Sequence, residues 1–172
     1  MNDIQLRRRR RCFRLSIAVL LALVATSVLA EDTEFAVSIG WYEPDRPEDA
    51  IEVALDVHYG PELFWGIRPQ AGLLATSEGT IYGWSGFRVR LPIQSERWRI
   101  DLSSGVGLFE EGDGKDLGGV VEFRSGIDVL RQFKNGQALG LGFHHISNAG
   151  IYDKNPGSNT LLVRWVFGRT RK

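Results

Sequence analysis

Phe35-Ala36-Val37-Ser38-Ile39-Gly40-Trp41 is the stretch that decides the fold. Successive side chains of a strand point to opposite faces. Phe35, Val37, Ile39 and Trp41 therefore share one face, and Ala36, Ser38 and Gly40 the other. The same alternation returns along the chain. Ile51, Val53, Leu55 and Val57 oppose Glu52, Asp56 and His58; Phe87, Val89 and Leu91 oppose Arg88 and Arg90. Ile100, Leu102, Val106 and Leu108 oppose Arg99, Asp101 and Ser103, and Val121, Phe123, Ile127 and Val129 oppose Glu122, Arg124 and Asp128. At the end, Leu161, Val163, Trp165 and Phe167 oppose Thr160, Leu162 and Arg164.

Turn residues divide this pattern into eight segments: Glu34–Tyr42, Ala50–Tyr59, Gly66–Thr76, Thr80–Leu91, Trp98–Phe109, Gly119–Leu130, Ala138–Ser147 and Asn159–Gly168. Most have the length of about 9–12 residues that a tilted strand needs to cross a bilayer. Two architectures fit half-apolar strands. A soluble lipocalin-like barrel or sandwich turns its apolar faces inward, whereas a membrane barrel turns them to lipid and packs charge inside. The polar faces mix acids with arginines and many glycines and hold few lysines, which suits a cramped interior of ion pairs. The expectation is an all-β fold, an eight-stranded antiparallel transmembrane β-barrel, with Arg88, Arg90 and Arg164 in interior ion pairs. Eight strands leave an interior filled by side chains, not a pore.

The N-terminus reads as an export signal. Arg7 to Arg11 and Arg14 precede an apolar run from Leu15 to Thr26, and Ser27-Val28-Leu29-Ala30 predicts cleavage before Glu31. The apolar run is shorter than the roughly 20 residues of a spanning helix. Residues 1–30 form the signal peptide in this reading, and 31–172 a single barrel domain. Removing six arginines and Asp3 takes the formal charge from 0 to −5, which excludes a nucleic-acid surface, and it discards Cys12, the one cysteine. A cleaved signal and a membrane barrel together predict the Gram-negative outer membrane. With both termini in the periplasm, Gly60–Trp65, Pro92–Arg97 and Arg131–Gln137 become periplasmic turns, and the seventh strand ends at the outer leaflet.

That end carries the chemistry. In Phe143-His144-His145-Ile146-Ser147-Asn148-Ala149-Gly150, His145 and Ser147 lie two apart and share a face with Leu139, Leu141 and Phe143. A serine becomes a nucleophile when a neighbouring base takes its proton. Asn148, or the backbone N–H groups around Ala149 and Gly150, can donate to an oxyanion. The residues alone leave a catalytic pair and an incidental polar pair both open. His144 and His58 point inward and read as structural. The histidines and scattered acids form no recognisable metal set. The acidic segments Glu43–Asp49 and Glu110–Asp116 read as solvated loops before calcium sites, and no cofactor motif is present.

His145-Ile146-Ser147-Asn148-Ala149-Gly150 closely resembles the His-x-Ser-Asn-Ala motif of the lipid A 3-O-deacylases (PagL type), outer-membrane barrels that remove the ester-linked acyl chain at the 3 position of lipid A. The resemblance spans the strand layout and is specific in sequence from about Asn135 onward. It implies His145 as base, Ser147 as nucleophile, Asn148 with the oxyanion, and lipid A or lipopolysaccharide as substrate. The family's third triad member is a glutamate at the start of the last strand; here that position is Asn159. By parity Asn159 joins the face of His145, and its carbonyl can orient an imidazole without supplying charge. Asp153 is the other acid within reach along the chain. The missing carboxylate keeps a second expectation in play, a weak or inactive barrel of the same family with a structural or lipid-binding role.

Overall fold

The computed structural model describes residues 33–168 apart from 45, 48, 61, 92 and 96; the expected signal peptide lies outside the described residues. Eight strands form a closed antiparallel barrel in sequence order: β1 (Glu34–Tyr42), β2 (Ala50–His58), β3 (Ile67–Thr76), β4 (Ile81–Arg90), β5 (Trp98–Glu110), β6 (Val121–Gln132), β7 (Ala138–Ser147) and β8 (Ser158–Gly168). β1 closes on β8 through pairs running from Glu34–Gly168 to Tyr42–Thr160. Closure leaves no free edge and satisfies the ladder within the barrel.

The strands match the alternation almost residue for residue, with two informative shifts. β6 starts at Val121 instead of Gly119, because Gly118 adopts φ +98 and Gly119 lies beneath the Tyr152 ring. Before β3, Phe64–Gly66 forms a single 3₁₀ turn that periodicity did not signal.

The apolar side chains face out. Val37, Ile39 and Val53 are 45%, 56% and 52% exposed, while Ala36 and Ser38 on the opposite face of β1 are buried. A soluble barrel would bury those faces, so the inward-apolar reading is overturned: the outer wall is built for a hydrocarbon solvent.

The interior is stacked in layers. Near the end where β1 begins, Glu34 meets Arg88 at 3.0 Å, Arg90 at 3.2 Å and Arg99 at 3.3 Å, and Asp101 meets Arg88 at 2.8 Å. At mid-height, Arg164 bridges Asp56 (2.7 Å) and Asp128 (3.4 Å) and donates to Ser38 Oγ at 3.1 Å. The three arginines expected in ion pairs are there. Toward the other, distal end, Tyr82 stacks on Trp84 at 5.4 Å, and the Arg124 guanidinium lies 4.3 Å from the Trp84 ring centre. Trp84 fits because Gly72 faces it on β3; a Cβ there would run into the indole. The distal end, closed by Phe109, Leu117 and Ile146, carries the candidate site.

Candidate active site

β7 delivers His145 and Ser147 to the outer surface at the distal rim. Leu139, Leu141 and Phe143 on the same face are exposed, while His144 and Ile146 on the opposite face are 2% exposed each. Both His145 and Ser147 are half-buried. His144 instead points into the barrel, its Nε2 2.9 Å from Asp128 Oδ1. His58 also lies inside, 3.7 Å from Glu34 and 3.4 Å from Arg164. Both inward histidines serve the interior network.

Asn159 stands directly across from His145 in the β7–β8 register. Its backbone N–H and C=O both turn the other way, to Glu43 beyond the end of β1. The His145–Asn159 pair is thus of the non-hydrogen-bonded type, in which facing side chains come closest. Accordingly, His145 Nδ1–H donates to Asn159 Oδ1 at 2.9 Å. With Nδ1 taken, Nε2 is the nitrogen left to accept a proton. Asp153 is exposed in the 148–157 loop, and the Nδ1 contact belongs to Asn159.

Gly157 is a site residue that sequence reasoning missed. One more step of the same register places it opposite Ser147. It has φ +62, and a Cβ there would lie 2.8 Å from His145 Cε1 and 3.4 Å from Nε2. The imidazole rests in the space a side chain would fill. The Pro156-Gly157 pair signalled only a turn.

Asn148 is fully buried and fastens the rim. Its Nδ2 donates to the carbonyls of Leu117 and Lys154, both at 2.8 Å, and its Oδ1 accepts the Gly150 N–H at 3.0 Å. Its own N–H goes to Asn155 Oδ1 at 3.1 Å. The oxyanion donors expected from Asn148 and Gly150 are therefore engaged within the protein in this conformation. Among the described residues, the Ala149 N–H is the donor of this turn without a partner. Ala149 holds φ +54, a left-handed conformation costly for a residue with a Cβ.

The 148–157 loop is knitted to the 111–120 loop. Tyr152 Oη accepts the Val121 N–H, and Lys154 reaches Asp116 at 2.8 Å. Lys154 and the Gly118 N–H hold the Asp116 carboxyl below the usual aspartate range. Glu43 departs from the solvated-loop expectation: it is 3% exposed, and its carboxylate binds Lys115 at 2.6 Å and the Asn159 N–H at 2.7 Å. Below Asn159, an apolar groove runs along the outer wall between Ile39, Trp41, Ile51, Leu141, Leu161 and Val163.

Two comparisons bear on this geometry. The sequence model of the family described as lipid A 3-O-deacylase (PagL) matches residues 38–167. A solved structure described as the outer membrane enzyme PagL superposes with a TM-score of 0.59 at 18% identity, covering 79% of this chain and 99% of that one. A de novo designed transmembrane β-barrel gives a TM-score of 0.57 at 10% identity, over 80% and 95% of the two chains. These likenesses bear on the barrel fold. No curated protein sequence matches the chain.

Proposed function

Because the chain belongs to the lipid A 3-O-deacylase (PagL) family, we propose that it is an outer-membrane serine esterase that removes the ester-linked acyl chain from the 3 position of lipid A. The observation that carries this reading is the outward-facing His145, hydrogen-bonded through Nδ1 to Asn159 and two residues from Ser147 on a wall of mostly apolar side chains, broken beside His145 by Ser125. A polar pair on a lipid-exposed face is costly unless it works.

In the reaction, Ser147 Oγ attacks the ester carbonyl and its proton passes to His145 Nε2. The tetrahedral oxyanion takes the Ala149 N–H. His145 returns the proton to the departing sugar oxygen, which leaves an acyl-serine. Water then attacks the acyl carbon, His145 takes its proton and gives it back to Ser147 Oγ, and a fatty acid is released. Asn159 holds the imidazole in the tautomer that leaves Nε2 free to accept. In this reading the apolar groove below Asn159, lined by Ile39, Trp41, Leu141, Leu161 and Val163, takes the acyl chain.

The remaining parts follow from the same reading. Residues 1–30 export the chain across the inner membrane of a Gram-negative cell and are cleaved before Glu31. The end where β1 begins faces the periplasm, and the distal rim lies at the outer leaflet, where lipid A resides.

Mass spectrometry of lipid A from cells expressing the chain, beside a Ser147→Ala control, tests the proposal. The expected result is loss of one acyl chain from the 3 position with the native protein alone. Identical lipid A from both strains, with both proteins folded in the outer membrane, overturns it.

A further inference from the structure

The last rung of the β1–β8 ladder is irregular. Regular pairing ends at Tyr42–Thr160, and the next pair is Glu43–Asn159. One half of that rung is ordinary: the Glu43 N–H donates to the Asn159 carbonyl at 2.8 Å. The other half is not. Glu43 has φ +50, which turns its own carbonyl away into a turn, where it accepts the Arg46 N–H at 3.2 Å. In its place the Glu43 carboxylate reaches back, and Oε1 accepts the Asn159 N–H at 2.7 Å. A side chain has replaced a backbone carbonyl in the sheet.

The replacement carries two costs: a left-handed backbone at a residue with a Cβ, and a buried carboxylate. Lys115 offsets the second at 2.6 Å from Oε2. What the rung secures is Asn159, gripped on both backbone groups by Glu43. The Asn159 side chain is thereby fixed toward β7, where its Oδ1 accepts the His145 Nδ1–H at 2.9 Å. A charge-assisted bond of the kind Glu43 makes is shorter and about twice as strong as a neutral one.

We propose that Glu43 is a positioning residue of the site: its carboxylate completes the β1–β8 ladder at Asn159 and so holds the Asn159 amide against His145. The proposal rests on His145 being the base of the esterase reaction. It acts through residue 159, so it is distinguishable from a contribution to barrel stability alone.

The test combines a spectroscopic and a kinetic arm on the full mature barrel in detergent micelles. With ¹⁵N-labelled histidine, the native protein shows a hydrogen-bonded Nδ1–H of His145, assigned by its loss in His145→Ala. Glu43→Ala, and Glu43→Asp with its shorter arm but the Lys115 charge partner kept, are expected to weaken or abolish that signal. Glu43→Gln retains an acceptor for the Asn159 N–H and is expected to preserve it. In kinetics, Glu43→Ala lowers kcat about tenfold to a hundredfold, the loss typical of a displaced catalytic group, with KM changing far less. In an Asn159→Ala background the same change costs less than about twofold, because there is no longer an amide to position.

An unchanged His145 signal in folded Glu43→Ala and Glu43→Asp overturns the proposal. So does an equal kcat loss in both backgrounds. Should the native protein release no fatty acid, the esterase reading fails, and the spectroscopic arm still decides whether Glu43 governs the Asn159–His145 contact.

Discussion

Asn159→Asp is the sharpest perturbation of this site, because it adds a charge and almost nothing else. The two side chains are the same size and shape, so the 2.9 Å contact to His145 Nδ1 survives. When His145 takes the serine proton it becomes an imidazolium, and an aspartate then sits 2.9 Å from that positive charge. In a water-like dielectric the attraction is about 1.4 kcal/mol, and at the effective value of about 20 found near protein surfaces about 6 kcal/mol. Those limits correspond to roughly tenfold and ten-thousandfold in rate. Asn159 is exposed at the rim, so screening places the expected gain nearer the lower limit. A second contribution points the same way. An amide can flip and present its NH₂ to the ring, whereas a carboxylate only accepts, which enforces the tautomer that leaves Nε2 free. The assay is kcat/KM for fatty acid release from lipid A in mixed micelles, with the double variant Ser147→Ala, Asn159→Asp as the inert control. A folded Asn159→Asp protein that is no faster than the native one would refute the assignment of His145 as a base oriented by residue 159.

Two further outcomes follow from the geometry. Arg164→Met leaves Asp56 and Asp128 without their shared cation in the barrel interior, and should cost about 3–5 kcal/mol, read as a lower urea midpoint of the barrel's heat-modifiable gel band. Rate per folded molecule should stay native, since no part of that layer reaches the rim. Gly157→Ala should do the reverse: the added methyl meets the His145 ring, so kcat should fall about tenfold to a hundredfold. Its backbone strain costs only about 1–2 kcal/mol, and a native rate would show that the imidazole does not need that space.

The barrel was legible because period-two alternation is a local signal that every strand repeats. Its inversion was legible too, from arginines and acids on faces such as Arg88–Arg90 and Glu122–Arg124. Within the site, His145 and Ser147 stood out as neighbours on one strand face, a pair the residues alone left open, and Asn159 entered through the resemblance to the deacylase motif, with parity across the hairpin agreeing. Glu43 could not. It meets Asn159 from 116 residues away, across the seam where the first strand closes on the last. Its carboxylate acts there only because a positive φ turns the backbone carbonyl aside. Asn148 shows the complementary failure: an amide beside a serine suggests a donor to substrate, yet the loop crossing from Leu117 and the turn at Lys154 claim both its hydrogens.

The same division of labour explains why the charge at position 159 has little consequence for the fold. The interior ion pairs of this barrel, Glu34 with its arginines and Arg164 with two aspartates, all point inward. Position 159 contributes to the ladder through its backbone, which Glu43 satisfies whatever the side chain. Its side chain contacts the outward-facing His145. Exchanging a carboxylate for an amide there removes charge from the chemistry while leaving every interior pair intact. Glu43 would still hold an aspartate in place through its backbone. Its carboxylate is already neutralised by Lys115, so a second negative charge at 159 meets little repulsion. Asn159→Asp should therefore cost the barrel little stability even as it raises the rate.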